Sequence, residues 1–244
     1  MRRVTPTVVL LHGFAGTRRG WDLVTERTDA ERYRPLALDL RGHGAARDAR
    51  PIGFDAIVAD VLAAAPPRFV LCGYSMGGRI ALHVALAAPE RVERLVLVAT
   101  TAGIEDEAER AARRAADERL AAFAEHSTIE AFAECWAAQP LFAEDPPGVA
   151  AFARGDMLRN DPRALAASLR GVGTGAMAPL WDRLGRLRMP AAVLAGERDA
   201  KFVALGERLA RALPDARLTV VPGAGHGLPR EAPQAVAEAI AARS

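Results

Sequence analysis

The sequence has few cysteines, no long apolar run and no cluster of charge of one sign. Cys72 and Cys135 are the two cysteines in 244 residues, and their separation fits neither a metal site nor a disulfide framework. Cys72 lies in an apolar run, where a small buried side chain is expected. Two isolated thiols suit a reducing compartment. Because no apolar stretch follows Arg2 and Arg3, no secretory signal is predicted and we expect a cytoplasmic protein.

The charges are nearly balanced and dispersed along the chain. Lysine and arginine together number 32 against 30 aspartate and glutamate residues, which leaves a net charge of +2. A nucleic-acid-binding face needs clustered cations, and a membrane span needs about 20 consecutive apolar residues; the sequence has neither. We therefore expect a small-molecule partner rather than nucleic acid or a membrane. A monomer or small homo-oligomer is expected, with no metal or other cofactor.

Apolar runs of strand length alternate with longer helical patterns along most of the chain. This order is typical of βαβ units, which build a parallel sheet. The Val and Leu residues of the runs do not alternate with polar residues, as expected for strands that helices cover on both faces. The sequence thus predicts an α/β fold, with strands at Thr7–Leu11, Leu36–Asp39, Phe69–Gly73, Leu95–Thr100, Ala191–Ala195 and Leu218–Val221 and helices at Phe54–Ala64, Met76–Ala87, Phe202–Ala212 and Pro233–Ala242.

Residues 103–177, called the insertion below, break this alternation. They contain no convincing strand pattern, only Ala-, Arg- and Glu-rich helical stretches interrupted by Pro140, Pro146, Pro147 and Pro162. We expect the insertion to form a helical cap over the carboxyl edge of the sheet, where open α/β folds bind ligands. Residues 1–102 and 178–244 would then form the core. A helical excursion without a role in the site is the alternative.

Ser75 is the first candidate for chemistry. It lies at the centre of Gly73-Tyr74-Ser75-Met76-Gly77, between a predicted strand and a predicted helix. The Gly-x-Ser-x-Gly pattern places a nucleophilic serine on a tight, strained turn, and the two glycines prevent backbone clashes around it. The bare pattern is weak evidence, and its strand–turn–helix context strengthens it. A glycine-rich turn without chemistry is the alternative.

A serine hydroxyl needs an imidazole partner to become reactive. Of the five histidines, His226 follows the last predicted strand in a glycine-rich loop and fits the chain order Ser, acid, His. The acid is expected after the strand that ends at Ala195, and Asp199 lies further beyond that strand than Glu197. We predict Asp199 as the acid and keep Glu197 as the alternative. An N-cap of the following helix is the other role open to Asp199.

The segment His12-Gly13-Phe14 follows the first predicted strand. The backbone N–H groups of Phe14 and Met76 are predicted to form an oxyanion hole, with Gly13 permitting the turn that aims the first of them. We expect His12 to brace this loop rather than react. The segment Asp39–Gly44, after the second strand, is expected to line the site as scaffold.

These motifs occur in the order typical of the α/β-hydrolase superfamily, which the chain resembles from end to end. The resemblance rests on His12-Gly13-Phe14, Asp39–Gly44, Gly73–Gly77, Gly196–Asp199 and Gly225-His226. It implies an α/β-hydrolase fold, a mostly parallel sheet flanked by helices, but it does not fix the reaction. Because the first predicted strand begins at Thr7, the usual N-terminal hairpin is expected to be missing or very short.

A second set of motifs is more specific, and comprises Gly73–Arg79, Trp136–Phe142, Asn160-Asp161-Pro162, Ser168–Gly171, Gly173–Gly175, Leu180-Trp181 and Gly196–Phe202. These segments resemble the 2-succinyl-6-hydroxy-2,4-cyclohexadiene-1-carboxylate synthases of menaquinone biosynthesis. The resemblance implies an elimination that releases pyruvate and consumes no water. In that reaction Ser75 would act as the base, made competent by His226, whose ring Asp199 orients.

The same resemblance implies which residues hold the substrate, a compound with several carboxylates. Arg79, Arg113 and Arg159 match carboxylate-binding positions, and guanidinium groups suit carboxylates because they bind them in a bidentate manner. Tyr74 and Trp136 are implied ring contacts. Each arginine could instead be a surface residue, and both aromatic side chains could serve packing alone.

Several alternatives stay open. Arg110 and Arg114 could take the place of Arg113. Pro229 stands where the synthases usually carry a second histidine, three residues after His226, which removes a side chain near the rim of the site. The alternative functions are a hydrolase of an ester or carbon–carbon bond in a small acidic substrate, with the same triad, and a non-catalytic ligand-binding protein on the same fold.

Overall fold

Six parallel strands form the central sheet, in the order β2-β1-β3-β4-β5-β6. The computed structural model describes residues 5–29 and 32–242. All of the predicted strands are confirmed; β4 differs most, because it begins three residues before the predicted Leu95. The strands are β1 (Thr7–Leu11), β2 (Arg34–Leu38), β3 (Phe69–Tyr74), β4 (Val92–Val98), β5 (Ala191–Gly196) and β6 (Ala216–Val221).

Both faces of the sheet are buried. Successive side chains of a strand point to opposite faces, and each face packs into its own hydrophobic core. In β1, Val9 and Leu11 join the core on one face, while Val8 and Leu10 join the core on the other. Cys72 of β3 belongs to the second core, as its apolar surroundings predict. Its burial raises the pKa of the thiol, so this side chain acts as a small apolar residue.

Helices cover both faces. They are α1 (Asp22–Thr25), α2 (Phe54–Ala64), α3 (Met76–Ala87), α4 (Glu107–Glu125), α5 (Ile129–Ala137), α6 (Pro147–Met157), α7 (Pro162–Val172), α8 (Ala200–Ala212), α9 (Leu228–Glu231) and α10 (Pro233–Ala241). Side chains of α2, α3 and α8 pack into one core, and those of α1 and α10 into the other. The bounds of α2 and α3 are those predicted, whereas α8 begins two residues before the predicted Phe202.

The insertion is helical, as predicted. It contains α4 to α7 and a short 3-10 helix at Pro140–Phe142. Its apolar side chains, among them Phe132 and Leu165, form a third core that also includes Ala15 from the loop after β1. The insertion therefore packs against the loop that carries the predicted oxyanion-hole residue Phe14.

The loops that carry the predicted site residues follow β1, β3, β5 and β6. Because these strands are parallel, their carboxyl ends meet at one edge of the sheet, the edge at which α/β folds bind ligands. Among the described residues, no helix combines the length and apolarity needed to cross a bilayer.

Candidate active site

Ser75 occupies a strained turn between β3 and α3. Its backbone has φ 52° and ψ −110°, in a region that few non-glycine residues adopt. Its N–H donates to the Val98 carbonyl at 2.9 Å. A Cβ on Gly73 would lie 2.3 Å from the Gly77 carbonyl oxygen, and one on Gly77 would lie 2.0 Å from the Leu11 carbonyl oxygen. Both positions therefore require glycine, as the Gly-x-Ser-x-Gly pattern predicts.

His226 and Asp199 extend from Ser75 in a continuous hydrogen-bonded chain. His226 Nε2 is 3.1 Å from Ser75 Oγ, and His226 Nδ1 is 2.8 Å from Asp199 Oδ2. The buried carboxylate favours the tautomer with the proton on Nδ1, which leaves the Nε2 lone pair to accept the Ser75 proton. Glu197 instead accepts a hydrogen bond from Gly223 N–H at 2.8 Å. The structure thus brings Asp199, not Glu197, to the imidazole.

Asp199 also caps α8. Its Oδ1 accepts a hydrogen bond from Phe202 N–H at 3.2 Å, while Oδ2 faces His226. The two roles that the sequence leaves open are compatible because a carboxylate has two oxygens. The Phe202 ring lies 4.5 Å from the His226 ring, between centroids, so the first turn of α8 also packs against the imidazole.

The loop around His226 is held by a buried carboxylate that sequence analysis missed. Glu231 accepts hydrogen bonds from Gly225 N–H at 2.8 Å and Gly227 N–H at 2.9 Å, the amides on either side of His226. Arg198 pairs with Glu231 at 2.5 Å and donates to the Glu144 carbonyl of the insertion at 2.7 Å. The histidine loop is thereby tied both to the acid loop and to the insertion.

Two backbone amides beside Ser75 have no acceptor within the described part of the protein. The N–H groups of Phe14, after β1, and Met76, at the start of α3, donate to no protein acceptor among the described residues. Phe14 and Met76 both line the cavity beside Ser75. The N–H of Ala15 is not available, because it donates to His43 Nε2 at 3.2 Å. Within the described ranges, Phe14 and Met76 therefore keep their backbone N–H groups without a protein acceptor beside Ser75, and they remain the predicted oxyanion-hole residues.

Two buried histidines brace the loop after β1. His12 Nε2 accepts from Leu40 N–H at 3.1 Å, and its Nδ1 lies 2.8 Å from the Gly13 carbonyl oxygen. His43 Nε2 accepts a hydrogen bond from Ala15 N–H, and the backbone of Ala15 has a positive φ of 60°. Burial lowers the pKa of both imidazoles, and for His43 the proximity of His12 lowers it further. Both rings are thus held neutral, the form that can accept these hydrogen bonds.

The insertion fixes the same loop from the other side. The Asp156 carboxylate accepts hydrogen bonds from the N–H of Thr17, at 2.9 Å, and from its hydroxyl. Asn160 donates to the Ala15 carbonyl at 2.9 Å and accepts from Gly44 N–H at 2.9 Å. Asn160 belongs to a motif noted in the sequence, whereas Asp156 stands in no recognisable pattern. Together they couple the insertion to the position of the Phe14 amide.

A cavity of about 650 Å³ lies between the sheet edge and the insertion. Ser75 and His226 line it from the core. The predicted ring contacts Tyr74 and Trp136 line it as well, together with Phe142. The Trp136 and Phe142 ring centroids are 5.7 Å apart, and those of Phe142 and His226 are 6.1 Å apart. Aromatic side chains thus surround the polar groups of Ser75 and His226 in this cavity, an arrangement typical of small-molecule sites.

Arg79 and Arg113, the predicted carboxylate-binding residues, both line this cavity. Arg79 is buried, and its Nη1 donates to the Val172 carbonyl at 2.6 Å. Burial, with a contribution from Arg113, lowers the pKa of Arg79 to about 10. Arg113 pairs with the buried Asp117 at 2.8 Å. Among the described residues, the pair with Asp117 is the one ion pair that either guanidinium group forms, so the two arginines leave a net positive charge at the cavity wall.

The structure does not bring Arg159 to the cavity. Arg159 is exposed and lies beyond the end of α6, whereas Arg154, inside α6, contributes to the lining. The two arginines are five residues apart and so point in different directions, which motif matching cannot distinguish.

The alternatives to Arg113 have other partners. Arg110 and Arg114 donate to the backbone carbonyls of Ile104 and Gly175, so Arg113 is the arginine of its group that lines the site. Within the described ranges, no cluster of His, Cys, Asp or Glu could hold a metal ion.

Comparisons with known proteins show the family of the chain. The model of the Alpha/beta hydrolase family matches residues 8–239. A 2-succinyl-6-hydroxy-2,4-cyclohexadiene-1-carboxylate synthase from Salmonella newport (strain SL254) is 34% identical over 242 residues, covering 97% of this chain and 93% of that protein. A Bacillus subtilis (strain 168) protein, whose assignment as the same synthase is provisional, is 36% identical over 242 residues, covering 93% and 86%.

A solved structure shares the fold across nearly the whole chain. The structure of MenH from S. aureus aligns with a TM-score of 0.91 and 31% sequence identity, covering 98% of this chain and 93% of that one. The similarity includes the insertion as well as the sheet, because the aligned region leaves out so few residues.

Proposed function

The chain belongs to the alpha/beta hydrolase family, and we propose that it is the carbon–oxygen lyase that makes 2-succinyl-6-hydroxy-2,4-cyclohexadiene-1-carboxylate in menaquinone biosynthesis. Its substrate would be 2-succinyl-5-enolpyruvyl-6-hydroxy-3-cyclohexene-1-carboxylate, from which it eliminates pyruvate. The observation that carries the proposal is one cavity in which a Ser-His-Asp chain faces the cationic pair Arg79 and Arg113. Relatives named as this synthase are similar to the chain over almost its full length, which supports the same proposal.

In the proposed reaction Ser75 is a base. Its Oγ takes the proton from the ring carbon next to the succinyl carbonyl, as its own proton passes to His226 Nε2. The hydrogen-bond distance of 3.1 Å between Oγ and Nε2 permits this transfer. Asp199 stabilises the resulting imidazolium and keeps the ring oriented. The buried, water-poor site strengthens both effects.

The negative charge formed on the substrate is taken up by the oxyanion hole. The Phe14 and Met76 amides donate to the succinyl carbonyl oxygen as the carbanion forms. The electron pair then forms a double bond from the deprotonated carbon to its ring neighbour, the existing ring double bond shifts by one position, and the bond from the opposite ring carbon to the enolpyruvyl oxygen breaks. His226 gives its proton to the departing group, which becomes pyruvate. Ser75 and His226 end in their starting protonation states, and no acyl-enzyme forms.

The insertion is proposed to act as a cap over this chemistry, with residues 1–102 and 178–244 as the core. Trp136 and Arg113 form part of the cavity wall from the insertion side, and Asn160 links it to the loop that carries Phe14. A cap of this kind excludes water, which a pyruvate elimination does not consume. We place the protein in the cytoplasm, as a monomer or small homo-oligomer without a nucleic-acid partner, on the basis of its dispersed charge and isolated thiols.

The proposal is tested by mixing the purified protein with the enolpyruvyl substrate and following pyruvate release through lactate dehydrogenase. We expect rapid release by the unaltered protein and a loss of several orders of magnitude in Ser75→Ala, as for other triad serines. Simple aryl esters serve as the comparison substrates. Turnover of the esters without pyruvate release would favour the hydrolase alternative, and binding that is unchanged in Ser75→Ala without any turnover would favour a ligand-binding protein.

A further inference from the structure

A third arginine faces the cavity from the histidine side. Arg230 lies in α9, directly after the His226 loop, and lines the cavity together with Pro229. Its guanidinium carbon is 5.7 Å from the centroid of the Tyr74 ring. Its Nε is buried and has no hydrogen-bond partner among the described residues. Buried polar groups without a partner are rare because each costs free energy, so the hydrogen bonding of Arg230 is incomplete within the described residues.

No carboxylate in the described part of the chain forms an ion pair with Arg230 within 4.0 Å. Its neighbour Glu231 is engaged by Arg198 and by the amides of Gly225 and Gly227. Asp145, from the insertion, lines the same cavity and is close enough for Arg230 to influence its pKa, which burial and Glu231 raise. Arg230 is thus a cation at the cavity wall with no carboxylate bound to it.

The other two arginines near this wall, Arg198 and Arg154, differ from Arg230 in their partners or their exposure. Arg198 donates to the Gly223 and Glu144 carbonyls as well as to Glu231. Arg154 is exposed. Arg230 therefore differs from both in being partly buried, directed to the cavity and free of a protein partner at Nε.

Arg230 and the pair Arg79 and Arg113 belong to separate parts of the cavity wall. Arg79 lies on α3, and its charged neighbours are Arg113 and Asp117. The charged neighbours of Tyr74 are Arg230, Asp145 and Glu231, and the Arg230 guanidinium also forms a hydrogen bond with the Tyr74 side chain. Two separated cationic sites suit a ligand with carboxylates at two ends.

In the proposed substrate, one carboxylate can bind at Arg79 and Arg113 and another at Arg230. Arg79 is three residues beyond Met76 on the same helix, so it lies near the oxyanion hole that receives the succinyl carbonyl. The succinyl carboxylate is only two methylene groups from that carbonyl, and Arg79 with Arg113 can bind it. The enolpyruvyl group leaves from the opposite side of the ring, where it must reach the proton on His226. Arg230 is the cation next to the His226 loop.

We propose that Arg230 binds the carboxylate of the departing enolpyruvyl group and so forms a second anionic subsite, distinct from the one at Arg79 and Arg113. This inference rests on the proposed function. Arg230 holds the group in place while the carbon–oxygen bond breaks, and its charge offsets the negative charge that accumulates on the leaving group until His226 protonates it.

The test compares Arg230→Met with Arg163→Met, which alters an exposed arginine of the insertion outside the cavity lining. We expect Arg230→Met to lower kcat/KM for pyruvate release by roughly 10- to 100-fold, the scale of one charge-assisted hydrogen bond in a buried site. Arg230→Lys should recover part of the loss, and Arg163→Met should match the unaltered protein. Thermal unfolding of each variant checks the fold, and a loss in Arg230→Met no larger than that in Arg163→Met would overturn the proposal.

A dicarboxylate probe without the leaving group tests the assignment directly. The probe is 4-(2-carboxyphenyl)-4-oxobutanoate, which keeps the succinyl and ring carboxylates. Its Kd, measured by calorimetry, should be unchanged in Arg230→Met and raised at least tenfold in Arg79→Met. Equal weakening of probe binding by the two variants would overturn the assignment of Arg230 to the leaving group.

The variant Asp145→Asn separates ligand binding from a structural charge pair. If Arg230 binds the substrate, removal of the nearby competing carboxylate should leave KM unchanged or lower it. A loss equal to that of Arg230→Met would mean that the two residues act as a pair, and the proposal would fail. If the unaltered protein releases no pyruvate, the proposed function fails; if it does and Arg230→Met releases pyruvate equally well, only the present inference fails.

Discussion

At the scale of single residues, Asp199 makes contacts that suit both a structural role and the proposed chemistry. Oδ1 caps α8 through Phe202 N–H, and Oδ2 orients His226. Sequence order alone indicates the triad, because the acid must follow β5 and the histidine must follow β6. Glu231 left no such signal: its partners are backbone amides, and a hydrogen bond to a backbone amide imposes no pattern on the side chains around it.

The dual role of Asp199 gives a prediction that separates activity from stability. In Asp199→Asn the side-chain oxygen can still cap α8, but the neutral amide cannot stabilise the imidazolium or fix its tautomer. We expect pyruvate release to fall by roughly 10³- to 10⁴-fold with little change in Tm. Asp199→Ala should lose the same activity and also about 1 kcal/mol of stability from the missing N-cap. Activity assays and denaturant unfolding of both variants check this. If the two variants also lost the same amount of unfolding free energy, the double role would be contradicted.

At the scale of elements, the strands and core helices follow from local pattern, whereas the position of the insertion does not. Strand ends such as Thr7 and Leu11 coincide with the limits of their apolar run, and α3 begins directly after the Gly-x-Ser turn. The side of α6 that faces the cavity depends on how the insertion docks. That docking is set by tertiary contacts, such as those of Asp156 and Asn160 with the loop after β1, so the sequence could not distinguish Arg154 from Arg159.

The contact between the insertion and the loop after β1 gives a prediction for Asn160→Ala. The change removes hydrogen bonds to the Ala15 carbonyl and from Gly44 N–H, and leaves both groups unsatisfied. We expect a loss of ~1–3 kcal/mol in unfolding free energy. Because Ala15 follows Phe14, kcat should fall more than KM rises, since the oxyanion hole acts mainly in the transition state. Steady-state kinetics of pyruvate release measure kcat and KM separately. An unchanged kcat together with a lowered unfolding free energy would show that the insertion does not position the oxyanion hole.

At the scale of the whole molecule, the buried histidines make stability depend on pH. His12 and His43 accept hydrogen bonds at Nε2, and burial lowers the pKa of both in the folded state. In the unfolded chain a histidine has a pKa of about 6.5. The folded state therefore binds fewer protons than the unfolded state below that pH, and their contribution to stability is fully present above it and declines as the pH falls.

We expect the unfolding free energy to drop between pH 7 and pH 5, by up to about 1.4 kcal/mol per pH unit for each of these histidines. Urea unfolding at intervals across that range measures the slope. The variant His43→Gln should show a shallower slope than the unaltered protein, because one titrating group is gone while the other groups remain. Identical slopes in the two proteins would contradict the neutral state of His43.

The central claim is that Ser75 removes a proton and never becomes acylated. A single-turnover experiment with substrate deuterated at the ring carbon next to the succinyl carbonyl tests it most directly, with the protein mass recorded during the reaction. The expected result is a primary isotope effect on pyruvate release, one ring diene formed for each pyruvate, and an unchanged protein mass throughout. A covalent adduct on Ser75, or a hydrated ring product in place of the diene, would contradict it.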